Sequence, residues 1–395
     1  MQRVSQSPTD LEFVQDPYPF YARLRAAGDL VWWEEYGMHA ATTHRAVNAL
    51  LRDRRFGREP PDTVPKPEIP AHLAPFYAVE AHSMLEAEPP RHTRLRGLVL
   101  RAFTTGRVSA LTPAIDGLIA ELIASFPAGP FDLLDAFARP LPVTVIARLI
   151  GVPDDRATDL LEWSNAMVKM YQPGRTRQDE ADAVAATQSF TAYLHSVVAK
   201  RRAAPGGDLL SHLIAVEEDA DDRLSVDELI STVILLLNAG HEATVHTLGN
   251  AVKALLETGT EHVLRDPAQI DTAVEEVLRY DPPLHVFTRI ARQEVELFGH
   301  RFVPGEEVAC LLASANRDPE AIPDPDRFDP TRAAKPHTSF GAGIHFCLGA
   351  PLARLEIARA LPALFAARPA LRLDAPPRYA DIYHFHGLER LMVTG

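Results

Sequence analysis

A mainly helical α+β fold is what three observations in this 395-residue sequence predict. Helical periodicity rich in Ala, Leu, Arg and Glu runs through 98–203 and again through 225–280, while short strand-like pieces occur only near 30–33, 295–303 and 307–312. The 33 prolines concentrate in two stretches, 60–90 and 319–336, which read as a long surface loop and an irregular meander. Structured loops of that length usually border a site in a compact enzyme. The even composition, 46% hydrophobic and 24% charged, contains neither a long-period repeat nor a low-complexity block. Nothing marks a linker, so residues 1–395 are expected to form one domain.

Acidic residues number 53 against 40 basic, a net charge of −13, which argues against a sequence-independent grip on nucleic acid or anionic lipid. The only cysteines, Cys310 and Cys347, cannot build a disulfide framework. The first residues lead into no apolar leader, and the most apolar stretches, 143–152 and 233–237, fall short of the roughly 18–20 residues that cross a bilayer. A cytoplasmic protein without signal or anchor is expected.

The longest helix is framed by a capping box, Ser225-Val226-Asp227-Glu228, and by a stop at Gly259. The 33 residues between them would span roughly 50 Å. Its apolar middle is interrupted by Asn238, His241, Glu242 and Thr244, and Gly240 adds about 1 kcal/mol of helix-propensity cost. One such polar residue is ordinarily satisfied within a core. A glycine beside a carboxylate and an alcohol in mid-helix points instead to local unwinding, where a small ligand or water enters the hydrogen-bond ladder. A second helix starts with Asp266 as N-cap and Pro267 at the first position, and must end before Pro282-Pro283. It carries Glu276 and Arg279 on one face, a pair worth a few tenths of a kcal/mol if it lies on the surface.

The run 339–349, Ser-Phe-Gly-Ala-Gly-Ile-His-Phe-Cys-Leu-Gly, precedes an Ala/Leu/Arg helix over 350–366. Its glycines permit backbone that side chains forbid, and Cys347 stands where a helix begins, a position that stabilises a thiolate. Zinc is disfavoured: no C-x-x-C pair exists, and the other cysteine is 347 − 310 = 37 residues away. A dinucleotide fingerprint is disfavoured too, because no strand precedes the glycines. One thiolate can hold haem iron.

The pattern Phe340-Gly341-x-Gly-x-His345-x-Cys347-x-Gly349 resembles the haem-binding loop of the cytochromes P-450. Glu276-x-x-Arg279 resembles the buried helix pair of that family, whose third partner would be Arg327 in Pro325-Asp326-Arg327-Phe328. Ala239-Gly240-His241-Glu242 resembles the oxygen-binding bend of its central helix. His92-Thr93-Arg94-Leu95-Arg96 resembles the helix that ties down the haem propionates, with His92 and Arg96 joined by Arg289 and His345. Asp16-Pro17-Tyr18-Pro19-Phe20 is typical of soluble bacterial members, and the resemblance spans essentially the whole chain.

The resemblance implies the cytochrome P-450 fold as a single haem domain without a fused reductase. It implies haem b with Cys347 as the axial ligand, and Phe340, Gly341 and Gly349 around it. The implied activity is monooxygenation, hydroxylation or epoxidation with one atom of dioxygen, of a medium-sized hydrophobic substrate such as a polyketide, terpenoid or steroid. Electrons would come from NAD(P)H through an external ferredoxin reductase and ferredoxin, and the protein would be a monomer. Arg94 and Arg101 would be largely solvated, the alternative being a share in a basic patch that receives an acidic ferredoxin, and Cys310 would be an inert core residue. Substrate walls are implied in 60–90, around Met167 and Tyr171, at Leu237, in 284–287 and near Tyr383 and Phe385, with His285 and His384 as polar contacts.

One departure matters. The family has threonine directly after the acid of the central helix, and this sequence reads Glu242-Ala243-Thr244. A substrate hydroxyl with ordered water would replace the missing alcohol, in preference to Thr244, because adjacent helical residues point about 100° apart. Two rival readings are a peroxide-driven peroxygenase, against which Glu242 weighs because arginine normally stands there, and a haem sensor, for which no signalling segment is visible.

Overall fold

Leu30–Trp33 and Met38–Ala41 pair antiparallel, Leu30 opposite Ala41, and three of the four residues in each are buried, which explains the unbroken apolar character of Leu30–Trp33. Met38–Ala41 then runs parallel to Glu307–Leu311, and Val286–Ala291 pairs antiparallel on the far side of that strand. With Arg3–Val4 at one edge and Phe56–Gly57 at the other, these form one six-stranded sheet. Alternate residues face two different cores. Leu30, Ala41, Val308 and Cys310 join Val47, Leu50 and Phe302, whereas Val31, Trp33, Ala40 and Leu311 join Phe13, Phe20, Tyr21 and Tyr383. Cys310 is fully buried, and burial pushes its thiol up to about 12, so it is inert as expected.

The computed structural model describes residues 2–65, 68–153, 156–171, 174–218, 224–383 and 385–395. The chain forms two compact units. The first comprises Met1–Pro65, Asp116–Arg139 and Ala243–Gly395 and contains the sheet; the second comprises Lys66–Ile115 and Pro140–Glu242 and is helical. The expected strand at 295–303 is a hairpin, Val295–Leu297 and His300–Phe302. Its two turn residues, Phe298 and Gly299, both have positive φ, +51° and +73°, as a tight two-residue hairpin turn requires.

The long helix runs Val226–Thr258, and both capping-box bonds are made: Glu228 N–H donates to Ser225 Oγ (3.1 Å) and Ser225 N–H to the Glu228 carboxylate (2.9 Å). The second helix begins as a 3₁₀ turn, Pro267–Gln269, capped by Asp266, and continues as Ile270–Tyr280. Over 319–336 the backbone is neither helix nor strand, and the last long helix is Ala350–Ala367.

Two expectations are corrected. Within 60–90 a 3₁₀ turn, Ala71–Leu73, leads into a helix, Ala74–Glu80, because Pro75 occupies the first turn, where its missing N–H costs nothing. Within 98–203 the helical run is broken by Phe131–Asp132, which pairs with Met392–Thr394 as a strand. Among the described residues no helix is long and apolar enough to cross a membrane.

Candidate functional site

In the first unit, the loop 339–349 is fixed by its own backbone. Gly341 N–H donates to Thr338 O (2.7 Å), Phe346 N–H to Gly343 O (3.2 Å) and Cys347 N–H to Phe340 O (2.9 Å). Gly343 has φ +72°, and a Cβ there would lie 2.3 Å from the Leu51 carbonyl oxygen, a backbone atom that cannot step aside. Gly341, at φ +68°, faces Phe287, and a Cβ at Gly349 would sit 3.9 Å from Cys347 Sγ. Gly349 is the N-cap residue of Ala350–Ala367, and Cys347 itself is exposed. A thiol so placed, held by backbone and flanked by glycines, fits the axial ligand of a haem iron.

The ring of Phe340 lies 4.7 Å beneath the Arg354 guanidinium, which bonds Glu275 in bidentate fashion at 2.5 and 2.9 Å. His337 Nε2 adds a third contact to Glu275 at 3.2 Å. Burial alone would raise the Glu275 carboxyl, but Arg354 and His337 overcome it and hold the group down at about 2. A depressed carboxylate stabilises the fold above its unfolded-state value near 4.5 and loses that contribution as pH falls toward 2. Glu275→Gln is therefore expected to lower the urea midpoint at neutral pH, with the deficit against the unmodified protein shrinking between about pH 5 and pH 2. An undiminished deficit at pH 2 would assign the loss to something other than this charge.

Glu276 and Arg279 form a buried pair, Nε to Oε2 and Nη2 to Oε1 at 2.7 Å, with side chains 2% exposed. Arg279 Nη1 also donates to the carbonyls of Asn316 (2.9 Å) and Pro325 (2.8 Å). Arg327 does not complete this cluster. Its side chain is 68% exposed and approaches Asp329, and only its carbonyl takes part, accepting from Arg279 and Arg332. The third partner is Arg332, 12% exposed, whose Nε lies 3.3 Å from Glu276 Oε1 and whose other nitrogens donate to the carbonyls of Pro323, Asp324 and Arg327. The meander's carbonyls at positions 323, 324 and 327 converge on the Arg332 guanidinium, and that is why position 332 is held inward while the Arg327 side chain stays at the surface.

Of the expected propionate partners, the first unit holds Arg289, buried on Val286–Ala291 with Nη1 donating to Thr288 O, and His345, half-buried in the turn Gly343–His345. The second unit holds His92, buried, and Arg96, half-buried, four residues apart on Arg91–Ala102 and so on one face. In each unit these are groups able to donate a hydrogen bond to a carboxylate. Arg94 is not solvated as expected: it pairs with Glu228, the capping residue of the long helix. Arg101 is exposed.

The long helix is α-helical without interruption through 238–244, so the expected unwinding is absent. The physical reason for Gly240 lies in packing within the second unit, where a Cβ would come within 2.9 Å of Ile146 Cγ1. The His241 Nδ1 lies 2.8 Å from Leu237 O; a carbonyl only accepts, so Nδ1 carries the proton. Asn238 directs Nδ2 toward Met167 Sδ (3.9 Å), and its buried Oδ1 has no hydrogen-bond partner among the described residues. Glu242 closes the second unit, half-buried. Ala243 and Thr244 open the stretch belonging to the first, and Thr244 is buried. Sequence reasoning missed Thr247, whose hydroxyl donates to Ala243 O at 2.7 Å; the i to i+4 spacing was the available signal.

Of the expected substrate walls, Met167 and Leu237 are buried in the second unit, and Leu284 bridges Phe385 in the first. His285 is committed elsewhere: fully buried, it shares Nδ1 with Tyr21 Oη at 2.9 Å, and Tyr21 in turn bonds Tyr383. His384 lies outside the described residues.

Known proteins resemble the chain throughout. The family model described as Cytochrome P450 matches residues 269–367. Cytochrome P450 monooxygenase PikC of Streptomyces venezuelae is 40% identical over 384 residues, covering 93% of this chain and 87% of its own. 6-Deoxyerythronolide B hydroxylase of Saccharopolyspora erythraea is 40% identical over 377 residues, 92% of each. The crystal structure of P450BioI in complex with hexadec-9Z-enoic acid ligated acyl carrier protein superposes with a TM-score of 0.90 at 34% identity, covering 97% of this chain and 99% of that one.

Proposed function

The chain belongs to the cytochrome P450 family and is a monooxygenase of that family, and from this premise we propose that Cys347 is the thiolate ligand of its haem and that the whole chain works as one haem domain. The observation that carries this reading is the loop around Cys347, where only glycine fits at position 343 and the Phe340 carbonyl holds the Cys347 amide. When bound, haem supplies dioxygen activation at an iron made electron-rich by its thiolate. Arg289 and His345, with His92 and Arg96, bind and orient the cofactor through its carboxylates.

The substrate is a medium-sized hydrophobic molecule carrying oxygen, of the polyketide, terpenoid or steroid kind. Reducing equivalents arrive from NAD(P)H through a ferredoxin reductase and a ferredoxin. In the second unit Met167 and Leu237 are buried and apolar, and the Asn238 Oδ1 acceptor, one helical turn before Glu242, suits a substrate hydroxyl or an ordered water.

Proton delivery follows from the alcohols near position 243. Ala243 supplies no proton, the Thr247 proton is committed to Ala243 O, and Thr244 points about 100° away around the helix. Glu242 therefore holds a water chain that a hydroxyl of the bound substrate completes, since transfer needs donor and acceptor within about 2.6–3.2 Å or one bridging water. Analogues lacking that hydroxyl are expected to divert NAD(P)H consumption to hydrogen peroxide. Ala243→Thr should restore their coupling and leave the natural substrate unimproved, or crowd it. If Thr244→Ala abolishes coupling while substrate hydroxyls prove irrelevant, the relay runs through Thr244 and this reading fails. The substrate class is tested by loss of the iron-bound water, followed optically across a library of hydrophobic compounds.

A further inference from the structure

Strand Met38–Ala41 and the hairpin strand His300–Phe302 bring two imidazoles and a carboxylate together in the first unit, none of them a residue of the Cys347 loop. The rings of His39 and His300 lie 4.0 Å apart, their planes inclined by 36°. One oxygen of Glu306, Oε1, is 2.7 Å from His300 Nε2 and 2.9 Å from His39 Nδ1, while Oε2 accepts the Val303 amide at 3.0 Å. The His300 contact is a hydrogen bond. The His39 contact is not, although the side chain is 9% exposed and Nδ1 is buried: the carboxylate oxygen lies off the direction that a hydrogen bond needs.

A buried ring nitrogen that points beside a carboxylate oxygen is served poorly by a shared proton and well by a shared cation. We propose that His39, His300 and Glu306 form a binding site for a divalent transition metal ion, zinc by preference, with water as the fourth ligand. Imidazole nitrogen and carboxylate oxygen are ligands that zinc takes. The three ligand atoms already lie within 4.8 Å of one another. Tetrahedral zinc with bonds of about 2.0–2.1 Å spaces its ligands about 3.3–3.4 Å apart, so the present contacts need open by only about 0.5 Å. The partly exposed His300 and Glu306, at 25% and 22%, give the ion a route and leave room for water. The other histidine–carboxylate group, Asp281 with His285 and His386, lacks these features, since it is wholly buried and its carboxylate already accepts from Tyr18 and Tyr379. A zinc ion at His39 would fasten a central strand of the sheet to the hairpin.

The test uses haem-loaded enzyme dialysed against zinc in a buffer without chelating groups, read by metal analysis and by X-ray absorption at the zinc edge, which is separate from that of iron. One zinc per chain with a nitrogen and oxygen shell, and a thermal midpoint raised by zinc, is the expected result. His300→Ala and Glu306→Gln, each checked for an unchanged ferrous carbon monoxide spectrum, should weaken retention by more than the about 10- to 100-fold that loss of a supporting group costs. Absence of retained zinc overturns the proposal. So does retention that both variants leave unchanged, or a shell containing sulfur, which would place the ion on a cysteine.

Discussion

Serine in place of Cys347 is expected to yield a folded protein whose ferrous carbon monoxide complex lacks the red-shifted Soret band of a thiolate-ligated haem, with monooxygenase activity lost. The substitution changes one atom and leaves the loop intact, because the loop is held by Gly343 against the Leu51 carbonyl and by the Cys347 amide on Phe340 O, neither of which involves sulfur. A serine hydroxyl stays protonated where a thiol ionises, and it is a poor donor to iron. No second thiol can substitute. Cys310 is fully buried in the sheet and its thiol is pushed up to about 12 by burial. Survival of the thiolate-type band in Cys347→Ser would refute the assignment, and an unaltered circular dichroism spectrum would separate loss of the ligand from loss of the fold.

What the sequence made legible and what it hid divide along a physical line. The 33-residue helix was readable because both of its ends are local devices: a capping box whose two hydrogen bonds span three residues, and a glycine able to take φ +64°. Strand Leu30–Trp33 was readable from its apolar run. The hidden features depend on partners remote in sequence. Gly240 looks like a break in a helix, yet it admits the side chain of Ile146, 94 positions earlier (240 − 146), and no local pattern records that contact. Pro75 read as part of a loop although it opens a helix, since proline in a first turn and proline in a loop look alike in the sequence.

The charge cluster behind the loop is the sharpest case of that limit, and it gives the second large effect. Arg327 and Arg332 lie five residues apart in a segment without periodicity, so only the folded carbonyls of Pro323, Asp324 and Arg327 decide which one turns inward. Glu276→Ala would leave the Arg279 guanidinium buried without its carboxylate, and breaking a buried pair in this way costs about 3–5 kcal/mol. A loss of that size is a large part of a typical domain stability, so little holoprotein should accumulate. Arg332→Ala removes a contact to Glu276 and the donor to the Pro323 carbonyl, while the Asp324 and Arg327 carbonyls still accept from the Arg327 amide and from Arg279, an expected loss of about 1–3 kcal/mol. Arg327→Ala, on an exposed side chain, should stay within about 0.5 kcal/mol of the unmodified protein. Urea unfolding and haem content of the three variants rank them. Should Arg327→Ala prove as damaging as Arg332→Ala, the inward arginine is misassigned; should Glu276→Ala load haem normally, the pair carries no buried charge of consequence.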